Sequence, residues 1–462
     1  MGRVLFPDRA IPARLIRGWL VFVTIAALVF LTDTPIKADD RDLCSGTSGT
    51  AETRVQACTR LIAQGLLQGT DLADAYHYRG YEFFYNLQDY DRAIEDFTES
   101  FRRNPKAINS VIRRGDIYLH RAEYDRAIAD FTSALNLDAR HIEALASRAG
   151  AYIKKKDFGR AESDLAAALK IDAKAAYTHA VQGDLHFDRK DYERAAASYR
   201  AALRDNPDYT HVHAALGNTL FHRKDYAQAL SHLDRALQLD GDLEYAYSAR
   251  GDVHLAQKNF AAARADFEAA RKLDPASAIH VASLGVVAFH AKDYDTAFQL
   301  FDQAVSLDPK YAFALNGRGA SYHRKGNLDR ALFDFEDAIR IDPTFALAIV
   351  NRGEIYLHRD DYIKTLADQN EALKIDPSLA RAYSLRGLAY IRMDNFEKAL
   401  ADVEEGLRLE PQEEFSYYAR GEYFLARKDH ARALADFDAA LRIDPKSEDA
   451  LKARERALKA AN

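Results

Sequence analysis

The residues whose types could do chemistry are fifteen histidines, two cysteines and a set of phased Arg-Gly pairs. His179, His186, His211, His213, His222 and His232 crowd one stretch and raise the question of a metal site. A zinc centre needs ligands spaced to meet on one face, as in His-Glu-x-x-His. No such spacing occurs, and His120, His222, His290 and His358 lie at multiples of one long period rather than on one turn. The expectation is no metal and no cofactor. Glycine-rich phosphate loops and strained serine elbows are also missing, so no catalytic residue is assigned and the chain reads as a non-enzyme. Arg-Gly-Asp appears at 114–116 and 250–252, which on an exposed loop would be an adhesion signal.

The chain has 462 residues, 48% of them hydrophobic, and a net charge of −6, which excludes compositional disorder. It opens with a basic segment carrying Arg14 and Arg17, a short apolar run from Gly18 to Leu31, and a polar stretch to Ala38. The run is shorter than the roughly 20 residues of a membrane span and fits a signal-peptide core. Residues 1–38 are therefore expected to be a signal peptide, or alternatively a retained anchor facing the periplasm. Either places the rest outside the cytoplasm, since the arginines stay inside. Removing that segment takes five basic and two acidic residues from totals of 64 and 70, which makes the remainder more acidic. Nucleic acid and anionic membrane surfaces are poor partners for such a surface. In an exported chain, Cys44 and Cys58 are most simply a disulfide, worth roughly 3 kcal/mol to residues 39–73. The alternative of two redox thiols lacks Cys-x-x-Cys spacing.

What positions these residues is a repeat. YDRAIEDF (90–97), YDRAIADF (124–131), LDRALFDF (328–335) and HARALADF (430–437) recur in a 34-residue frame, which fits eleven times from 74 to 447. Position 20 is Ala except at Thr365, and position 27 is Ala except at Ser100 and Gly406. Position 8 is Gly in nine copies, with Gly80 and Gly150 one residue off; the prolines after the leader all fall at position 32. Apolar positions 4, 8, 11 and 20, 24, 27 predict two amphipathic helices per copy. The proline separates copies, and each pair leaves apolar surface for the next to cover. Residues 448–462 read as a capping helix. Thr365 and Gln369 make the ninth copy the loosest, a candidate hinge.

This pattern resembles the tetratricopeptide repeat (TPR) family. The resemblance implies an all-α, right-handed superhelical solenoid of about eleven helix pairs, with the first helix of each pair on a concave face used for ligands. Arg-Gly then sits mid-helix at positions 7 and 8, which removes the adhesion reading. Arginine at position 7, where the family usually has leucine, goes with Asp at position 23. The pairs are Arg114–Asp130, Arg148–Asp164, Arg250–Asp266, Arg318–Asp334, Arg352–Asp368, Arg386–Asp402 and Arg420–Asp436, with Arg79–Asp96 one residue out of phase. They are expected to bridge the two helices of each copy.

The concave face implied by the resemblance comprises positions 2, 5, 9, 12 and 13. Its candidate partner-binding residues are Tyr177, Asp184, Phe187, His211, Asn218, Phe221, Tyr245, Asp252, Leu255 and Phe289, in the fourth to seventh copies. Aromatics beside carboxylates suit an extended polypeptide with apolar and basic side chains. The lysine and asparagine of carboxylate-clamp TPR domains are not both in place, as Ala214 accompanies Asn218. The resulting expectation is an exported, periplasmic scaffold or adaptor for protein partners, with a holdase-like chaperone as the alternative.

Overall fold

A computed structural model describes residues 38–65 and 67–461. The leader reading, Ala38 aside, falls outside the described residues. Among the described residues the regular elements are helices, and none is long and apolar enough to cross a membrane. The chain divides into two compact units between Val253 and His254.

The first unit begins with α1 (Ala38–Ser45), α2 (Ala51–Ala63), α3 (Gly69–Tyr81) and α4 (Tyr90–Arg103). It continues with α5 (Ile108–His120), α6 (Tyr124–Leu137), α7 (Ile142–Lys154), α8 (Phe158–Ile171) and α9 (Ala176–Asp188). Next come α10 (Tyr192–Asp205), α11 (Thr210–His222), α12 (Tyr226–Leu239) and α13 (Glu244–Ala256), within which the division falls. The second unit holds α14 (Phe260–Leu273), α15 (Ala278–His290), α16 (Tyr294–Leu307), α17 (Ala312–Arg324) and α18 (Leu328–Ile341). It ends with α19 (Ala346–His358), α20 (Tyr362–Ile375), α21 (Ala380–Arg392), α22 (Phe396–Leu409), α23 (Glu414–Ala426), α24 (His430–Ile443) and α25 (Glu448–Ala461).

From α5 on, the first helix of every pair starts 34 residues after the last. The turn inside each pair is built the same way. Position 15 takes positive φ, as at Lys156, Lys190 and Lys292, and only Gly326 supplies glycine there. Position 16 is then an N-cap whose side chain in most copies accepts an N–H from the next turn, as Asp157, Asp191 and Asn327 do but Glu123 does not. The alanines at position 20 are fully buried, for example Ala127, Ala229 and Ala331. Glycine at position 8 lies against the large residue at position 24. A Cβ on Gly183 would stand 2.4 Å from the Tyr199 ring, and one on Gly421 would stand 2.5 Å from Phe437. Gly150 meets nothing within 4 Å. It is therefore not the displaced packing residue it resembles in the sequence, because Ala149 fills that place at full burial.

The slip at Arg79–Gly80 has a different cause. Residues Glu82–Asn86 form a π-helical turn directly after α3. Such a turn inserts one residue into a helix. Arg79 accordingly reaches Asp96 across 17 residues, whereas the later bridges span 16.

Seven Arg–Asp bridges join paired helices through two hydrogen bonds each, at 2.7–2.9 Å. They are those of Arg79, Arg114, Arg148, Arg318, Arg352, Arg386 and Arg420. Several of these arginines also use Nη1 to reach position 25 of the preceding copy: Arg114 to Thr98, Arg148 to Thr132, Arg318 to Asp302 and Arg386 to Asn370. The guanidinium thus ties neighbouring copies together as well as the helices of one. Arg250 bonds Asp234 at 2.6 Å in the first unit, and Asp266 is buried in the second, 3.9 Å from His254 Nε2.

In the ninth copy Thr365 and Gln369 are fully buried. Thr365 donates to the carbonyls of Asp361 and Gly353, and Gln369 donates to that of Val350. The Thr365 hydroxyl and the Gln369 amide nitrogen are thus satisfied by backbone acceptors, Gln369 Oε1 is buried without a partner, and the unit boundary falls elsewhere, in α13. At the start, Cys44 and Cys58 form a disulfide joining α1 to α2. At the end, α25 covers α24 through buried Ala453 and Ala457 beside Phe437.

Candidate binding groove

The second unit contains a groove of about 890 Å³ and an adjoining apolar pocket of about 400 Å³. Their walls share His323, Arg324, Glu354 and Arg381. The groove is lined from α17, α19, α21 and α23, chiefly by positions 2, 5, 9, 12 and 13, as with Phe415, Tyr418, Glu354, Leu388, His323 and Arg392. Helical spacing explains this: those positions recur at three and four residues on the face away from the paired helix. Val286, Phe289, Phe313, Ala320 and Leu347 line the apolar pocket. Asn351 donates to Asn316 at 2.8 Å on its wall.

An ion pair organises the floor. Arg381 Nη2 donates to Glu354 Oε1 at 2.8 Å and Nε to Oε2 at 3.2 Å. The same guanidinium lies 4.3 Å over the Phe415 ring and 3.6 Å from Glu413. Burial pushes the Glu354 carboxyl up, but the charges of Arg381 and His323 outweigh it and hold the group down at about 2. A buried carboxylate is thus kept ionised in a groove that also presents Arg324, Arg392 and Lys446 alongside Glu414, Asp360 and Asp449. At the rim, Lys292 Nζ donates to both oxygens of Asp444, at 3.0 and 2.9 Å, joining segments 152 residues apart. The arrangement offers charge of both signs, aromatic faces and one apolar recess, the equipment for holding a polypeptide segment.

Of the residues singled out from the sequence, Phe289 lines the apolar pocket and Leu255 is half-buried in the second unit. The others belong to the first unit. Phe187 is only 5% exposed and packs on Tyr192 and His222. Tyr177 is tied to Ser147 at 3.1 Å, and Asp184 accepts a hydrogen bond from Tyr199 at 2.6 Å. His211, Asn218, Phe221 and Tyr245 are half-buried, and Asp252 is exposed. The sequence placed Glu354 with the acidic and amide residues of position 9, but Arg381 and its pairing with Glu354 were passed over. Their signal was readable, since Arg381 is the one arginine at position 2 and follows a copy with Glu at position 9.

The histidine-rich stretch is structural where it is buried. His213 and His232 share a hydrogen bond between Nδ1 atoms at 3.0 Å, and His213 Nε2 meets the Pro207 carbonyl at 2.9 Å. Burial lowers His232 from 6.5 to about 4, with His213 and Arg200 adding repulsion. Between these values the unfolded chain binds a proton that the folded chain refuses. The contribution of neutral His232 is therefore complete above pH 6.5 and is lost as pH falls toward 4. An NMR titration should give a midpoint near 4 for this ring, and His232→Gln should flatten the loss of urea resistance across that window. A midpoint near 6.5 would refute the assignment.

Models of the tetratricopeptide repeat family match residues 84–140, 181–244, 248–312 and 384–448, and a second TPR model matches 312–345. No curated protein sequence matches the chain. Among solved structures, the Cut9–Hcn1 hetero-tetramer of the APC/C is similar at TM-score 0.55 and 18% identity, covering 88% of this chain and 89% of that one. Yeast Tom70 (TM-score 0.41, 18% identity, 84% and 96% covered) and a TPR protein from Parabacteroides merdae (0.47, 20%, 54% and 98%) are more distant in shape. The 34-residue register, the glycine–aromatic packing and the matched models lead to one conclusion: this chain is an α-helical interaction scaffold and belongs to the tetratricopeptide repeat family.

Proposed function

We propose that the chain is an exported, periplasmic adaptor that holds an extended segment of a partner protein in the groove of its second unit, without catalysis. The observation that carries this reading is the groove itself, whose walls come from four successive first helices and adjoin an apolar recess. The recess would take an apolar or aromatic side chain of the segment. The mixed charges would pair with its flanking residues, and the paired Asn316 and Asn351 amides could turn to its backbone. Export is supported by the basic-then-apolar leader.

The test is selection from a displayed peptide library, followed by direct affinity measurement. Leu347→Asp changes an exposed wall residue of the recess, and Ile363→Asp changes an exposed residue on the second helix of the same copy. Neither should disturb the fold. A set of related peptides that bind at least tenfold more weakly to Leu347→Asp but equally to Ile363→Asp supports the adaptor. Unrelated peptides bound alike by all three proteins would replace it with the holdase alternative.

A further inference from the structure

The wall shared by groove and recess carries a second arrangement. Glu354 and His358 stand four residues apart on α19, so they share one helix face, and His323 projects from α17 beside them. One ligand atom from each can be chosen so that all three lie within 4.8 Å of one another. The two imidazoles meet edge to face with centroids 5.1 Å apart. Among the described residues neither ring is hydrogen-bonded to another side chain, which leaves their nitrogen lone pairs unspent. We propose that His323, Glu354 and His358 form a binding site for a divalent transition-metal ion of the zinc type.

The chemistry suits that class. Two imidazoles and one carboxylate are borderline ligands that favour zinc over calcium or magnesium, and three protein ligands leave a coordination position open. Bonds of about 2.1 Å in a tetrahedron place ligand atoms roughly 3.4 Å apart. The required contraction is within reach of His358, the exposed member of the trio. Arg381 fixes the Glu354 carboxylate without using up its lone pairs: each oxygen accepts one hydrogen bond from the guanidinium and keeps a second acceptor direction. Its positive charge opposes a cation, and Glu413, 3.6 Å away, stands ready to take a larger share of it. The open position faces the groove, where water or a partner's side chain would complete the sphere. The site does not depend on what occupies the groove.

The test is calorimetric titration of the full chain, free of any affinity tag, with zinc chloride, together with cobalt absorption spectra. One high-affinity zinc per chain is expected, with cobalt d–d bands of four- or five-coordinate intensity that zinc abolishes. His323→Ala and His358→Ala should each weaken binding at least tenfold while leaving the metal-free far-ultraviolet spectrum and melting temperature unchanged. His290→Ala, at the same repeat position as His358 but outside the trio, should bind as the parent does. Absence of stoichiometric binding, or affinity that survives both trio variants, would overturn the site.

Discussion

Replacing Arg318 by methionine is expected to destabilise the second unit by about 3–5 kcal/mol, the cost of stranding a buried charge. Asp334 is 1% exposed and receives two of the bonds of Arg318, at 2.8 and 2.7 Å. With the guanidinium gone, the carboxylate must stay dry and unpaired or force the α17–α18 pair apart. The third bond, to Asp302 at 2.8 Å, is lost as well, so the preceding copy loosens too. Changing both partners, Arg318→Met with Asp334→Leu, should recover most of the loss, because two apolar groups need no counter-charge. A control at Arg340, paired with Asp337 on the surface, should cost about 1 kcal/mol or less. Urea unfolding gives the totals. Because repeat arrays unfold in parts, hydrogen exchange along α17–α19 should show where the loss falls. A single variant as mild as the surface control, or a double variant as unstable as the single, would show that the bridge is dispensable.

Two alanine substitutions in the first unit should move stability in opposite directions. Gly183→Ala would place a methyl 2.4–2.8 Å from three ring carbons of Tyr199. That ring is fully buried, and its hydroxyl is held by Asp184 at 2.6 Å, so it has little freedom to retreat. The expected cost is about 1–3 kcal/mol, typical of overpacking. Gly150→Ala meets open space on a helix of ordinary φ and should gain about 1 kcal/mol of helix propensity. Thermal and urea midpoints for both variants check the pair. Equal signs would mean that glycine at position 8 is not there to admit the residue at position 24.

The fold was legible because its physics repeats. Most copies restate the same small residues, the same kind of N-cap and the same proline, so a misreading in one is corrected by the others. The Arg–Asp bridges were legible for the same reason, since loss of one partner accompanies loss of the other. What the sequence hid was local. The π-turn at Glu82–Asn86 shows only as a one-residue phase slip, and Gly150 imitates that slip without it. The repeat positions that line the groove were also readable, but not the copies in which the groove lies. Phe187 and Tyr177 looked like presented aromatics, yet the close approach of neighbouring first helices packs or ties them. The pairing of Arg381 with Glu354 depends on two copies being adjacent in space, and a copy-by-copy comparison does not weigh that.

The Lys292–Asp444 contact gives the groove a topology. With the pair made, the chain from α15 to α24 is closed at one rim, so a segment in the middle of a long polypeptide cannot simply be laid in, whereas a free end can be threaded. One exposed ion pair holds the closure, and such pairs contribute about 1 kcal/mol or less. For the occupant proposed above, the rim would therefore behave as a clasp rather than a lock, setting how quickly it exchanges more than how tightly it is held. Salt, which screens surface charges over about 8–10 Å, would speed traffic through it.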